Sequence, residues 1–434
     1  MLGVIAVLVA IVALGLRLIP RAVVPPHLAD HQVYALDDLI PKDMRVQLQD
    51  TIRSMGIFGS NVDTSRATGF VPIHEHIGEA IPINPDGSCS HDFLFPNPNR
   101  TLCILPERVD VGKHYVMTGG LDGMKEPFSD LVNRVSSFAK YTFLRDLDKF
   151  PVVQKLFNSD KFQTAAKSVC PADRSYLDPF QFSFIISVPG QTVAAHLDAP
   201  YFWGANRFRF PQWLLVSMVF SGLFQDKFIN QIQVVGYLHE WAEDNVNPGD
   251  GGDFVYYTNS SHWGKVSAKP GSGTIVDGSK VLHAAKVFRP TVKAPYLPKD
   301  KFSQLVHIGD DNWELQVEDQ VIRRYTTKDL RISMVYRARC FASAEEAQAY
   351  ADLPEEEMMT VEGILDKLKK DLVARGAAKA DTIDSMGKLE LAFLIMDTYV
   401  KYPLPPVENA WIPFNYCALP RVLPWTEGLI NMIC

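Results

Sequence analysis

The sequence predicts an α+β protein: a β-rich middle, helical layers on either side, and an apolar helix at the amino terminus. Three observations predict it. Residues 171–341 contain short aromatic and β-branched runs punctuated by Pro- and Gly-rich turns, the pattern of a sandwich, jelly roll or barrel. The segments before and after carry apolar residues at helical spacing. Residues 2–16 form an uncharged apolar run at the start of the chain.

Taken in order, residues 1–24 read as a membrane anchor or signal segment. The run extends to residue 24 if Arg17 snorkels, which gives a feasible single span. Pro25 and Pro26 then form a hinge. The positive charges Arg17 and Arg21 follow the run, so the positive-inside rule favours a cytosolic bulk anchored in the endoplasmic reticulum or another endomembrane. A lumenal placement is the alternative, and Asn99-Arg100-Thr101 and Asn259-Ser260-Ser261 match the glycosylation sequon.

Residues 25–170 read as a mixed α/β region, with helices expected over 37–55 (stopped by Gly56), 126–146 and 152–167. In 171–341, strands are expected over 180–188, 214–220, 231–238, 254–258, 273–276, 281–288 and 330–341. Turn signals such as Pro189-Gly190 and Asp277-Gly278 separate them. Residues 342–434 read as a helical extension: Ser343 and Glu346 form a capping box, and 358–374 and 389–399 are amphipathic or apolar helices.

The chain has 434 residues, 47% hydrophobic and 21% charged, as a folded globular protein does. Its 43 Lys+Arg against 50 Asp+Glu give a net charge of −7, and with no basic block nucleic acid is excluded as a partner. Six scattered cysteines are too few for a disulfide framework, and the absence of a CxxC pair excludes a cysteine zinc site. No Gly-rich nucleotide loop or G-x-S-x-G elbow occurs.

The chemistry concentrates at His196-Leu197-Asp198. On a strand, residues i and i+2 share a face, so an imidazole and a carboxylate can reach one metal ion. His283 supplies a third ligand. Two neutral imidazoles and a carboxylate that leave positions open are the facial triad of non-haem Fe(II) oxygenases. His74-Glu75-His76 has no third partner nearby and reads as a surface feature.

Around the triad the order is Gly251-Gly252-Asp253-Phe254, then Lys269-Pro270-Gly271-Ser272-Gly273 before His283, then Arg331-Ile332-Ser333. Over roughly 176–341 this resembles the Fe(II)/2-oxoglutarate-dependent dioxygenase superfamily, with prolyl 4-hydroxylase-like spacing. The resemblance implies a double-stranded β-helix (jelly roll). It implies His196, Asp198 and His283 as iron ligands, with Fe(II), 2-oxoglutarate and O2 as cofactors and co-substrates and ascorbate as an accessory. It implies a hydroxylase or related oxidoreductase that releases succinate and CO2 from 2-oxoglutarate. The basic residue gripping the co-substrate is Arg331, with Ser333 on the same face, or alternatively Lys293. Choosing Arg331 makes 290–329 an insertion, with a hairpin expected over the mouth. Tyr201, Trp203 and Arg207 are candidates for the substrate pocket. The substrate, small-molecule or peptidyl, is not readable. The competing function class is a non-catalytic or other-metal cupin-like β-helix, acting as a binding module or isomerase.

Overall fold

The computed structural model describes residues 24–60, 81–97, 99–241, 250–259, 262–298, 301–402 and 414–434. Residues 1–23, His74-Glu75-His76 and Ser260-Ser261 lie outside these. The expected single-pass endomembrane anchor is corrected: among the described residues no helix is long and apolar enough to cross a membrane.

Among the described residues, fourteen strands build the two main sheets. They are β1 (Val33–Leu36), β2 (Ile57–Ser60), β3 (Phe138–Phe143), β4 (Tyr176–Ser187), β5 (Val193–His196), β6 (Gln231–Tyr237), β7 (Phe254–Tyr257), β8 (Trp263–Val266), β9 (Gly273–Val276), β10 (His283–Ala285), β11 (Ser303–Gly309), β12 (Asn312–Val317), β13 (Gln320–Thr326) and β14 (Arg331–Phe341). The large sheet runs β1-β9-β6-β14-β4-β3-β2-β11-β12-β13, and the small sheet runs β8-β7-β10-β5. All pairings are antiparallel. Within this set, β9-β6-β14-β4 and β8-β7-β10-β5 are two four-stranded sheets between which the chain crosses repeatedly. That is a double-stranded β-helix, and it holds the site between its sheets.

Period-two alternation sorts the strand residues. On β14, Ile332, Met334, Tyr336, Ala338 and Cys340 enter a core with Phe182, Phe184 and Ile186 of β4. That core is closed by α1 (Lys42–Met55), α2 (Pro151–Phe157) and α3 (Asp160–Lys167). The other face of β14 presents Arg331, Ser333, Val335, Arg337 and Arg339 to the barrel interior. The outer face of the small sheet packs Leu197, Val255, Tyr257 and Leu282 against α4 (Gln212–Ser221), α5 (Val361–Ala374) and α6 (Lys388–Tyr399). Each sheet is therefore apolar outward, under helices, while the inward faces mix the polar site residues with apolar ones such as Val235, Val335 and Phe254.

Four expectations change. Residues 214–220 lie in α4, a helix buried on every side from Trp213 to Ser221; an all-round apolar run has no periodicity to separate helix from strand. The expected helix over 126–146 ends at Arg134, after a single stretch Phe128–Arg134, and the chain turns into β3, which pairs along β4. The helix expected over 152–167 is two, because Ser159 caps a new one by accepting from the Phe162 amide. The hairpin β12–β13 extends the large sheet through β11 and β2 instead of covering the mouth.

The cysteine reading is also corrected. All six are paired: Cys89–Cys103, Cys170–Cys340 and Cys417–Cys434, each with Cα–Cα 5.8 Å. Sequence separation concealed this for Cys170 and Cys340, which are 170 residues apart. They meet because the segment after α3 packs beside the outer face of β14.

Candidate metal and co-substrate site

His196 closes β5 and His283 opens β10, and the two are direct partners in the ladder. The register shifts between His283 and Ala285, an irregularity of the kind that re-aims side chains next to active sites. The rings stand 4.3 Å apart, centroid to centroid. Each imidazole is tied back to its own strand: His196 Nδ1 to Ala194 O at 2.7 Å and His283 Nδ1 to Val281 O at 2.8 Å. A carbonyl can only accept, so Nδ1 carries the proton and Nε2 keeps its lone pair. Burial, and then the neighbouring His196, hold His283 down to about 3, so it is neutral.

Asp198 lies two residues past His196, with Oδ1 3.7 Å from His196 Nε2. One ligand atom from each of His196, Asp198 and His283 falls within 4.8 Å of the others. Burial alone would raise the Asp198 carboxyl, but the Arg337 guanidinium outweighs it and holds it well below the usual range. Arg337 Nη2 stands 3.4 Å from Oδ1, and Gln233 directs its side-chain amide at the same carboxylate. The backbone fixes it further, since the Asp198 amide donates to Gly278 O at 2.7 Å.

A metal ion fits these residues on two counts. The donor set is two imidazoles and one carboxylate. In addition, His283 Nε2 is buried with no hydrogen-bond partner, and leaving such a group without a partner costs on the order of 1–3 kcal/mol. A cation accepting that lone pair would remove the cost.

Arg331 begins β14 on the interior face. Its Nε donates to Gly252 O at 3.2 Å and its guanidinium lies 5.5 Å over the Tyr237 ring. Among the described residues its terminal nitrogens make no hydrogen bond and no ion pair. Burial pulls its pKa down, opposed by Tyr237 and Asp253, and a buried cation with no directly bonded anion is costly. Gly252 is required there twice: its φ is +71°, and a Cβ would stand 2.9 Å from Arg331 Nε. Ser333 is buried on the same face, with Oγ 3.4 Å from Ile185 O. Lys293 lies elsewhere: its side chain is 74% exposed and is paired with Asp130 at 2.8 Å.

A cavity of about 570 Å³ opens from His196 and Asp198. Tyr201 and Arg207 line it together with Arg337, whereas Trp203 packs on Tyr350 and does not line it. The wall from the N-terminal region includes the apolar Phe93, Phe95, Phe128 and Leu131, together with the charged Glu107 and Arg108. Sequence reasoning missed Arg337, Gln233 and Tyr237. Alternation from Arg331 would have placed Arg337 on the interior face; nothing in the sequence marks Gln233 or Tyr237.

No family model and no curated protein matches the chain. Solved structures to which it is similar include a prolyl-4-hydroxylase from Pseudomonas putida, at 13% identity over 73% of this chain and 96% of that one, with a TM-score of 0.27. Another is an oxidoreductase of the 2OG-Fe(II) oxygenase family from Burkholderia pseudomallei, at 9% identity over 48% and 69%, with a TM-score of 0.26. A third is HygX from Streptomyces hygroscopicus with nickel and 2-oxoglutarate bound, at 8% identity over 71% and 83%, with a TM-score of 0.30. At such scores the reading of the site rests on its own strand order and side chains.

Proposed function

We propose that the protein is an Fe(II)- and 2-oxoglutarate-dependent dioxygenase. The observation that carries this is the convergence of His196, Asp198 and the unpartnered Nε2 of His283 between the sheets of a double-stranded β-helix. His196, Asp198 and His283 hold the metal, and Arg331 holds the distal carboxylate of the co-substrate, assisted by Ser333. When bound, the metal with 2-oxoglutarate and O2 supplies the oxidising power for substrate C–H chemistry, with succinate and CO2 released.

The chain's own residues do the orienting. Ala194 O and Val281 O fix the two imidazole tautomers, and outer partners of this kind are worth roughly 10- to 100-fold in metal affinity. Arg337 and Gln233 hold the Asp198 carboxylate ionised and in one orientation. Arg331 offers a planar fork suited to a carboxylate, and Tyr237 supports it from below. Three disulfides with no free cysteine suit an oxidising compartment.

The test is anaerobic addition of Fe(II) and 2-oxoglutarate, read by the visible charge-transfer absorption of the chelate. The band is expected in the wild type, absent in His196→Ala, weakened in Arg331→Ala and unchanged in Lys293→Ala. A folded wild type with no band refutes the dioxygenase reading and favours the other-metal or binding-module class. A band weakened only in Lys293→Ala moves the anchor to that residue.

A further inference from the structure

The cavity beside the triad is unbalanced in its hydrogen-bonding groups. Tyr201 is buried, and its hydroxyl has no partner. Arg337 gives Nη2 to Asp198, while its Nη1 is buried without a partner. Arg207 makes no hydrogen bond and no ion pair among the described residues; its guanidinium lies 5.5 Å over the Phe208 ring. These three groups line the same cavity, which opens from His196 and Asp198.

The other charges at the cavity wall are committed. Arg108 donates to Gln212 and to Leu197 O, each at 3.0 Å, and faces Asp110 at 3.6 Å. Glu107 accepts from Gln212 at 3.4 Å. Arg339, which also overlies Tyr201, is paired with Asp178 at 2.6 Å. Asp198 is the charged acceptor beside the free donors, and Gln181, the ladder partner of Arg337, adds a neutral, buried amide oxygen without a partner. Once the Asp198 charge is engaged by a metal, the positive charge of Arg337 is no longer balanced. The corner then presents three donors, two of them cationic, against one neutral acceptor, the Gln181 amide. Around it the wall of Phe93, Phe95, Phe128 and Leu131 can take only apolar surface. A volume of about 570 Å³ lies within the roughly 300–1,000 Å³ of small-molecule sites.

We infer that Arg207, Tyr201 and Arg337 form an anion subsite, and that the substrate is a small molecule with an apolar body and one carboxylate or phosphate, held by that group next to the metal. This inference rests on the dioxygenase reading for its chemistry but not for its binding geometry. The subsite differs from the co-substrate anchor: Arg331 is six residues from Arg337 on the same face of β14, roughly 20 Å along the strand.

The test uses the whole chain loaded with Zn(II) and 2-oxoglutarate, so that the co-substrate site is filled. Isothermal titration compares 3-phenylpropanoate, 3-phenylpropanamide and phenyl phosphate. An anion is expected to bind at least about tenfold more tightly than the amide, the equivalent of one charge-assisted contact. Arg207→Gln is expected to abolish that preference while leaving amide affinity unchanged, and Arg207→Lys to restore part of it. Whichever anion wins identifies the substrate group as carboxylate or phosphate. Equal binding of acid and amide, no binding of any probe, or an undiminished preference in Arg207→Gln overturns the subsite. The Fe(II)/2-oxoglutarate absorption, measured on the same preparations, separates the two failures. A normal band without anion preference refutes the subsite alone, and a missing band refutes the dioxygenase reading.

Discussion

Replacing Gly278 by alanine tests the metal site without altering a ligand. A Cβ at residue 278 would lie 2.2 Å from Asp198 Oδ2 and 2.7 Å from the end of the Gln233 side-chain amide, and real Cβ atoms essentially never approach below 3.0 Å. The carboxylate must therefore retreat by about 1 Å, a displacement that can cost on the order of 100-fold at a reacting centre. It has little freedom to do so, because Arg337 engages one oxygen and the Asp198 amide is fixed to Gly278 O at 2.7 Å. Crowding of a packed site costs the fold about 1–3 kcal/mol, so the variant stays folded. Metal affinity is expected to fall roughly 10- to 100-fold, with a matching loss of chelate absorption. The assay is anaerobic Fe(II) titration of folded protein, with urea unfolding of the metal-free form as control. Wild-type metal affinity in a stable Gly278→Ala protein would refute the placement of Asp198 in the ligand set.

Two further outcomes follow from the structure. Removing Cys170–Cys340, which spans 170 residues, should destabilise the chain by about 2 kcal/mol more than removing Cys417–Cys434, which spans 17, because loop-closure entropy grows with the logarithm of loop length; denaturant midpoints of the paired Cys→Ala variants check this, and a reversed order refutes it. His239 is fully buried with Nε2 2.7 Å from Ala268 O, and burial, then Arg331, hold it down to about 3. The unfolded chain takes up this proton below about 6.5, so the stability it contributes is complete above that pH and is lost as pH falls towards 3. His239→Gln should flatten that part of the stability–pH curve, read by urea unfolding at a series of pH values.

The sequence exposed what depends on short-range pattern. His196 and Asp198 share a face because they are two residues apart, and Arg331 and Ser333 share the interior face of β14 for the same reason. The helices capped by Ser343 and ended at Gly56 were legible from single residues with a local role. What stayed hidden depends on long-range contact. Arg337 meets Asp198 from 139 residues away. Cys170 finds Cys340 only after β14 has folded into the sheet. β3 carries a helix-like pattern in sequence because its partner β4 lies beyond two helices, and α4 carries a strand-like one because burial on all sides removes the polar face that reveals a period. Lys293 had family-like spacing but sits at the surface, since the 303–326 strands let β14 begin much later.

The large sheet also shows where this chain cannot be cut. Inside the barrel its borders are β9 and β4, and neither is open: β1 covers one and β3 the other. A fragment starting at residue 171 would uncover both rows of backbone donors and acceptors, which invite edge-to-edge association. In the whole chain the outermost strands blunt that hazard. β1 is only four residues long, and β13 carries Arg323 and Arg324 beside its exposed Val321 and Ile322. The segments on either side of the barrel are thus its selvedge, woven in so that the sheet does not fray into its neighbours.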